Sequence, residues 1–139
     1  MVIQRWQTVL LLVAAVMMCI FCTTPYAVNS VEQSLPSEIF VKDSVVYLIV
    51  NIVIAALLFL SIFLFKNLQL QIRVTLISIV LIAASMVTGM FLLFYTMPDA
   101  EIIWTGGVLL LVGALIAAIW ARERMKKDLK LLRSYDRLR

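Results

Sequence analysis

Residues 44–65 read SVVYLIVNIVIAALLFLSIFLF, a run without charge or proline whose only amide is Asn51. A helix needs about 20 predominantly apolar residues to cross the hydrocarbon core of a bilayer, and this run has that length. Its apolar side chains follow one another without the in–out alternation of a barrel strand. Inside lipid the backbone must satisfy its own polar groups, which leaves the helix as the viable form. Working outward, residues 74–97 and 102–121 repeat the pattern, and residues 8–24 form a shorter run that suffices for a thin bilayer or with snorkelling flanks. With 64% hydrophobic and only 14% charged residues among 139, the chain departs from soluble domains, where charged residues run near a quarter. The expected fold is an all-α membrane protein of four transmembrane helices in an antiparallel bundle. Residues 1–121 form the membrane domain, and residues 122–139 form a basic amphipathic helix extending into the cytoplasm.

The charges orient this bundle. Of twelve basic residues all but Lys42 fall before the first run (Arg5), between the second and third (Lys66, Arg73) or after the fourth. Acidic residues dominate the other two connections, as Glu32, Glu38 and Asp43 and then Asp99 and Glu101. By the positive-inside rule both termini are expected in the cytoplasm. The aromatics give a separate signal. Trp6 and Trp120 are expected at the cytoplasmic interface, and Tyr26, Tyr47, Tyr95 and Trp104 at the outer one. The outer loop over residues 23–43, with Pro25, Pro36 and several serines, reads as irregular connecting chain, and Ile39, Phe40 and Val41 as interfacial. Around Pro98 the third connection reads as a tight turn in which Asp99 caps the next helix. The net charge of +4 comes from the tail, where eight basic residues meet three acidic ones. This placement suits anionic headgroups and, without a folded basic module, not nucleic acid.

Helices in lipid associate through close packing and occasional polar contacts. The candidate packing residues are Gly106, Gly113 and Ala117 on the fourth run, Ser85 and Gly89 on the third, and Asn51 on the second, which either bonds a neighbouring helix or lines a polar path. No Asp, Glu, Lys, Arg or His lies within the four runs, which disfavours ion-coupled transport. The chain also lacks histidine, the commonest general acid–base group. No catalytic residue, metal site or cofactor is expected. Cys19 and Cys22 form a C-x-x-C pair near the outer end of the first run. Such a pair is read either as small packing residues or as the thiols of a membrane thiol–quinone redox protein. That second reading lacks a further cysteine pair and places the thiols at the wrong end of the helix dipole. In the tail, Lys126, Lys130, Arg133 and Arg137 share one helical stripe opposite Met125, Leu129, Leu131, Leu132 and Tyr135, with Glu123 and Lys127 spaced for an i,i+4 pair. A helix of this kind can lie on headgroups, enforce topology, or dock a cytosolic partner or a second copy.

Three stretches carry a resemblance. Ile3-Gln4-Arg5-Trp6-Gln7-Thr8 opens the chain; Ile62-Phe63-Leu64-Phe65-Lys66-Asn67, with Gln71-Ile72-Arg73, forms its centre; Lys127-Asp128 and Arg133-Ser134-Tyr135-Asp136-Arg137-Leu138-Arg139 close it. In this order they resemble a bacterial, Bacteroidota-type family of small four-helix integral membrane proteins that is a domain of unknown function. The resemblance implies a retained first helix and an inner-membrane address, and brings no activity with it. All three stretches fall on the face expected to be cytoplasmic, which makes Gln4, Arg5, Lys66, Asn67, Gln71, Arg73, Lys126, Lys130, Arg133 and Arg137 the candidate contact surface.

The sequence thus describes a non-enzymatic membrane protein acting through protein or lipid contacts on its cytoplasmic face. A thiol–quinone redox protein is the alternative and a small channel or transporter subunit the third reading. Weak small-residue spacing around Pro25 and Ala27 argues that the first run is not a cleaved signal peptide. The intact mass of the membrane-extracted protein is therefore expected to include residues 1–24, and a mass lacking them would contradict four spans.

Overall fold

The computed structural model describes residues 2–29, 37–96, 98 and 101–138, with the side chains of residues 2–5 and 37 outside that description. Four long helices occur among the described residues: α1 (Val2–Thr23), α2 (Val45–Phe63), α3 (Leu68–Thr96) and α4 (Gly106–Arg137). Each is long and apolar enough to cross a membrane. They pack in the cyclic order α1, α2, α3, α4, with α4 closing back on α1. Gln7 meets Asp128, and the α-carbons of Gly113 and Gly107 lie against Met17 and Pro25, so residue numbers rise along α1 as they fall along α4.

What faces inward repeats every three and four residues. The buried positions are Gln7, Leu11, Ala14, Met18 and Phe21 on α1, and Tyr47, Asn51, Ile54, Leu58 and Ser61 on α2. On α3 they are Gln71, Thr75, Ser78, Ile82, Ser85 and Gly89, and on α4 Gly107, Leu111, Ala114, Ala118, Ala121 and Met125. This is the seven-residue seam of left-handed helix packing, in which side chains interlock along a slowly coiling contact line. In the seam, serine, threonine, glutamine, glycine and alanine stand among buried Leu11, Phe21, Ile54, Leu58, Ile82 and Leu111, whereas the exposed face carries Val46, Ile52, Leu60, Val80, Val87, Phe91 and Leu109. An apolar exterior with the small and polar residues turned inward suits a lipid solvent, where close backbone approach and polar contact hold helices together.

Several expected boundaries move. α3 begins at Leu68, not near residue 74, so Gln71 and Arg73 belong to the helix. The connection from α2 is a single 3-10 turn, Leu64–Lys66, closed by Asn67. The Asn67 N–H donates to the Leu64 carbonyl and its own carbonyl accepts from Gln71 N–H, both at 3.0 Å, which ends one helix and starts the next without a loop. α4 starts at Gly106 with Thr105 in the N-cap position. Asp99, expected to cap it, lies outside the described residues and well upstream of that start.

The outer connections are not plain linkers. β1 (Pro25–Asn29) pairs antiparallel with β2 (Ser37–Phe40) on one side and β3 (Ile102–Trp104) on the other. This corrects the reading of the first loop as irregular chain and of residues 102–104 as the start of the fourth span; the tight turn expected around Pro98 falls on residues partly outside the described ones, as do Pro36 and the loop serines at 30 and 34. Pro25, which has no N–H to give a ladder, sits at the strand's first position beside a bulge. The bulge lets β1 turn off α1. Thr105 staples the sheet to α4: its hydroxyl donates to the Pro25 carbonyl and its N–H to the Tyr26 carbonyl at 3.3 Å. A single 3-10 turn, Val41–Asp43, then leads into α2, and Val41, expected at the interface, is completely buried.

The close approach of β1 to α4 depends on Gly107, where an added Cβ would press on the Pro25 carbonyl oxygen and lie 3.1 Å from Tyr26 Cα. Backbone cannot move aside as a flexible side chain can. Gly106 has nothing within 4 Å of the same position. Gly107→Ala is therefore expected to destabilise the protein in detergent by about 1–3 kcal/mol, the usual range for overpacking. Gly106→Ala should leave the thermal midpoint unchanged or raised.

Candidate functional site

The bundle has two unlike ends. At the sheet end Phe21, Tyr26 and Tyr47 form a buried aromatic cluster, with ring centroids 5.8 Å apart for Tyr26–Tyr47, 6.1 Å for Phe21–Tyr26 and 6.4 Å for Phe21–Tyr47. Edge-on contacts of this kind are favoured by the ring quadrupoles. Tyr26 and Tyr47 therefore do not stand at the lipid interface as expected. The sheet folds over the helix ends and takes them inside, while Tyr95 and Trp104 stay exposed. Tyr47 enters the seam over Gly89, whose missing side chain leaves the hydroxyl room: a Cβ there would meet Tyr47 Oη at 2.5 Å. Burial first, then the neighbouring Tyr47 and Asp43, push the Tyr26 phenol up to about 12, so it is an uncharged hydrogen-bonding group across the physiological range.

One turn further in, the polar contacts become continuous. Asn51 Nδ2 donates to the Tyr47 carbonyl at 2.8 Å, and Ser85 Oγ donates to Asn51 Oδ1 at 2.8 Å. A longer 3.5 Å contact joins Ser85 to the Tyr47 hydroxyl. This ties α2 to α3. Other seam hydroxyls bond within their own helix, Ser61 to the Leu58 carbonyl, Thr75 to that of Gln71 and Ser78 to that of Val74. Asn51 and Ser85 thus meet across the helix interface, with Gly89 a turn beyond. On α4 the inward face is Gly107, Ala114, Ala118 and Ala121, with Ala117 also buried. Gly113 is half-buried against Met17 and Gly106 is exposed. Both glycines stood on the expected packing face; the seven-residue register puts that face one position further on.

The opposite end carries the charge. Gln7, fully inside the bundle, donates its amide hydrogen to Asp128 and so joins α1 to α4. Gln71 is likewise buried, and Lys66, Asn67 and Arg73 are exposed; of the expected contact surface, Gln71 is therefore part of the seam. Gln4 and Arg5 lie on the first turns of α1, with side chains outside the described set. Glu123 pairs with Lys126 at 3.1 Å and with Arg122 at 3.8 Å, not with Lys127. Exposed pairs of this kind contribute little to stability. Lys126, Lys130, Arg133 and Arg137 are all exposed. Cys19, exposed, and Cys22, half-buried, are free thiols on α1. Among the described residues no cluster of His, Cys, Asp or Glu is placed to hold a metal ion.

What the sequence reading missed is the aromatic cluster and the Gln7–Asp128 contact. The inward face of α3, by contrast, had a signal in the spacing of Gln71, Thr75, Ser78, Ser85 and Gly89, a polar and small stripe on an otherwise apolar helix.

Four apolar helices and a seam of small and polar residues are the make-up of a multi-pass α-helical membrane protein. The chain belongs to the family described as Domain of unknown function (DUF4293), whose model matches residues 3–138. No curated protein and no solved structure matches it.

The Asn51–Ser85 contact is measurable. A double-mutant cycle of Asn51→Leu and Ser85→Ala, followed by unfolding in detergent, is expected to give a coupling of about 1 kcal/mol, typical of polar contacts between membrane helices. Strict additivity would mean that the two side chains do not interact.

Proposed function

We propose that the chain is a non-enzymatic inner-membrane protein whose helices cross the bilayer antiparallel, with both termini in the cytoplasm, and that it works by docking a partner on its basic tail. Residues 1–121 are the membrane unit and residues 122–139 the tail. The observation that carries this reading is the continuity of α4. It runs unbroken to Arg137, while its buried face ends at Met125. Beyond that point Leu131, Leu132, Tyr135 and Leu138 are exposed beside Lys130, Arg133 and Arg137.

The twelve residues beyond Met125, to Arg137, extend ~18 Å at 1.5 Å per residue. Neither glycine nor proline occurs in the tail, so nothing in it favours the kink that would lay it flat on headgroups. An upright helix with one apolar and one basic side fits a groove with apolar pockets and an acidic rim, the helix-in-groove mode of recognition. Self-pairing of tails would set eight basic residues against eight, so an acidic partner is favoured over a second copy. Anionic lipid then has a lesser role, meeting Lys66, Arg73 and Arg122 where the helices leave the membrane.

Crosslinking with mass spectrometry in native membranes tests this. Wild-type protein is expected to capture an acidic cytosolic protein through tail lysines. The triple variant Lys130→Glu, Arg133→Glu, Arg137→Glu should lose that capture while its thermal midpoint is retained. Capture that survives the charge reversal, or crosslinks to lipid alone, would contradict the proposal.

A further inference from the structure

A cavity of about 350 Å³ lies beneath the sheet, within the range of small-ligand pockets. Phe21, Tyr26 and Tyr47 form its inner wall, Gly89 and Leu111 lie at its sides, and Trp104 stands at its rim. Val87, Met90 and Trp104 are exposed, so the mouth opens sideways between α3 and α4, toward the surface that faces lipid in a four-span protein. Among the described residues no Asp, Glu, Lys or Arg lines it. A charged or strongly hydrated ligand would give up its water there without compensation. Aromatic rings and flexible methionines instead suit an apolar chain of variable shape.

One polar feature reaches this wall. The Tyr47 hydroxyl lies over Gly89, and both residues line the cavity. Ser85 has a single hydroxyl proton, which it gives to Asn51 at 2.8 Å, and its contact with the Tyr47 hydroxyl is long, at 3.5 Å. The phenolic O–H can close that long contact onto Ser85 Oγ or turn to an acceptor entering from the membrane. On the far side of Tyr26 a neighbouring depression carries Glu38 and Asp43, and Glu101 directly precedes β3. The nearby Lys42 ammonium sits 4.4 Å from the centre of the Phe40 ring. That acidic surround repels an anionic headgroup.

We infer that this cavity is a binding site for a neutral lipid, one apolar chain bearing a hydroxyl or carbonyl group that reaches Tyr47 laterally between α3 and α4. The site is independent of the tail and requires only that the helices lie in a bilayer.

The test uses the full chain in phosphatidylcholine nanodiscs with either a diazirine-bearing diacylglycerol or the matching phosphatidylglycerol probe. After photolysis, labelled peptides are mapped by mass spectrometry. The neutral probe is expected to label residues 86–90 and 104–111 several-fold more than the lipid-facing stretch 76–80, and the anionic probe is expected to show no such preference. Val108→Trp, which fills the cavity, should abolish the preference; Met90→Trp blocks the mouth from the lipid side and gives the same reading should the first variant fail to fold. Uniform labelling of all lipid-facing peptides, equal preference with the anionic probe, or an unchanged pattern in a folded cavity-filling variant would overturn the assignment.

Discussion

Hydrocarbon tails are as apolar as leucine, so a helix in lipid gains nothing by hiding its leucines, and association must come from closeness and polar contact. The seam of this bundle follows from that constraint. The close approaches use residues with little or no side chain: Gly89 beneath Tyr47 between two helices, Gly107 against β1 at Pro25, and Ala114, Ala118 and Ala121 along the inward face of α4. The polar residues that remain are bonded, Asn51 to Ser85 across the interface and Thr75 and Ser78 to their own helix. An orphaned polar group in such surroundings would cost several kcal/mol. Serine and threonine on α3 are tolerable because a carbonyl one turn back is always within reach.

The same constraint explains why the two ends differ. At one end a three-stranded sheet, a bulge at Pro25 and the Thr105 staple close the bundle and draw two tyrosines out of the solvent. At the other, the short turn through Asn67 and the Gln7–Asp128 contact hold the helices together, and α4 runs on past them. A closed end with a lipid-facing cavity suits the reception of a membrane molecule. An open end with an upright basic helix suits a partner in water.

Much of this was legible in the chain. Spans were read from runs such as 44–65 because membrane solubility demands unbroken apolar length and little else. Asn51, Ser85 and Gly89 were visible as packing residues because they interrupt such runs. The sheet was not legible: β1 and β3 are only five and three residues long, β1 opens on a proline, and the two pair across most of the sequence. Nor was the inward turn of Tyr26 and Tyr47, since a tyrosine near a span end looks the same whether it faces headgroups or a glycine on the next helix. The register of α4 was missed by one residue because adjacent glycines and alanines (Gly106 and Gly107, Ala117 and Ala118) leave composition nearly equal on two faces. Gln71 was assigned to a surface because it falls with Lys66, Asn67 and Arg73 in the central stretch on the face expected to be cytoplasmic, yet Gln71 and Arg73, two positions apart on a helix, differ by more than half a turn.

The central claim is that the small and polar residues of each helix face inward, packed among buried residues such as Leu11, Ile54, Leu58, Ile82 and Leu111, while the outward face, Ile77, Val80, Val87 and Phe91 on α3, meets lipid. Spin labels placed singly along residues 71–93 of α3 in a Cys19→Ala, Cys22→Ala background, reconstituted in bilayers, test it most directly. Accessibility to molecular oxygen is expected to oscillate, with minima at Gln71, Thr75, Ser78, Ile82, Ser85 and Gly89 and maxima at Ile77, Val80, Val87 and Phe91. Oxygen maxima at the serines, or accessibility to a water-soluble nickel complex along that stripe, would contradict it.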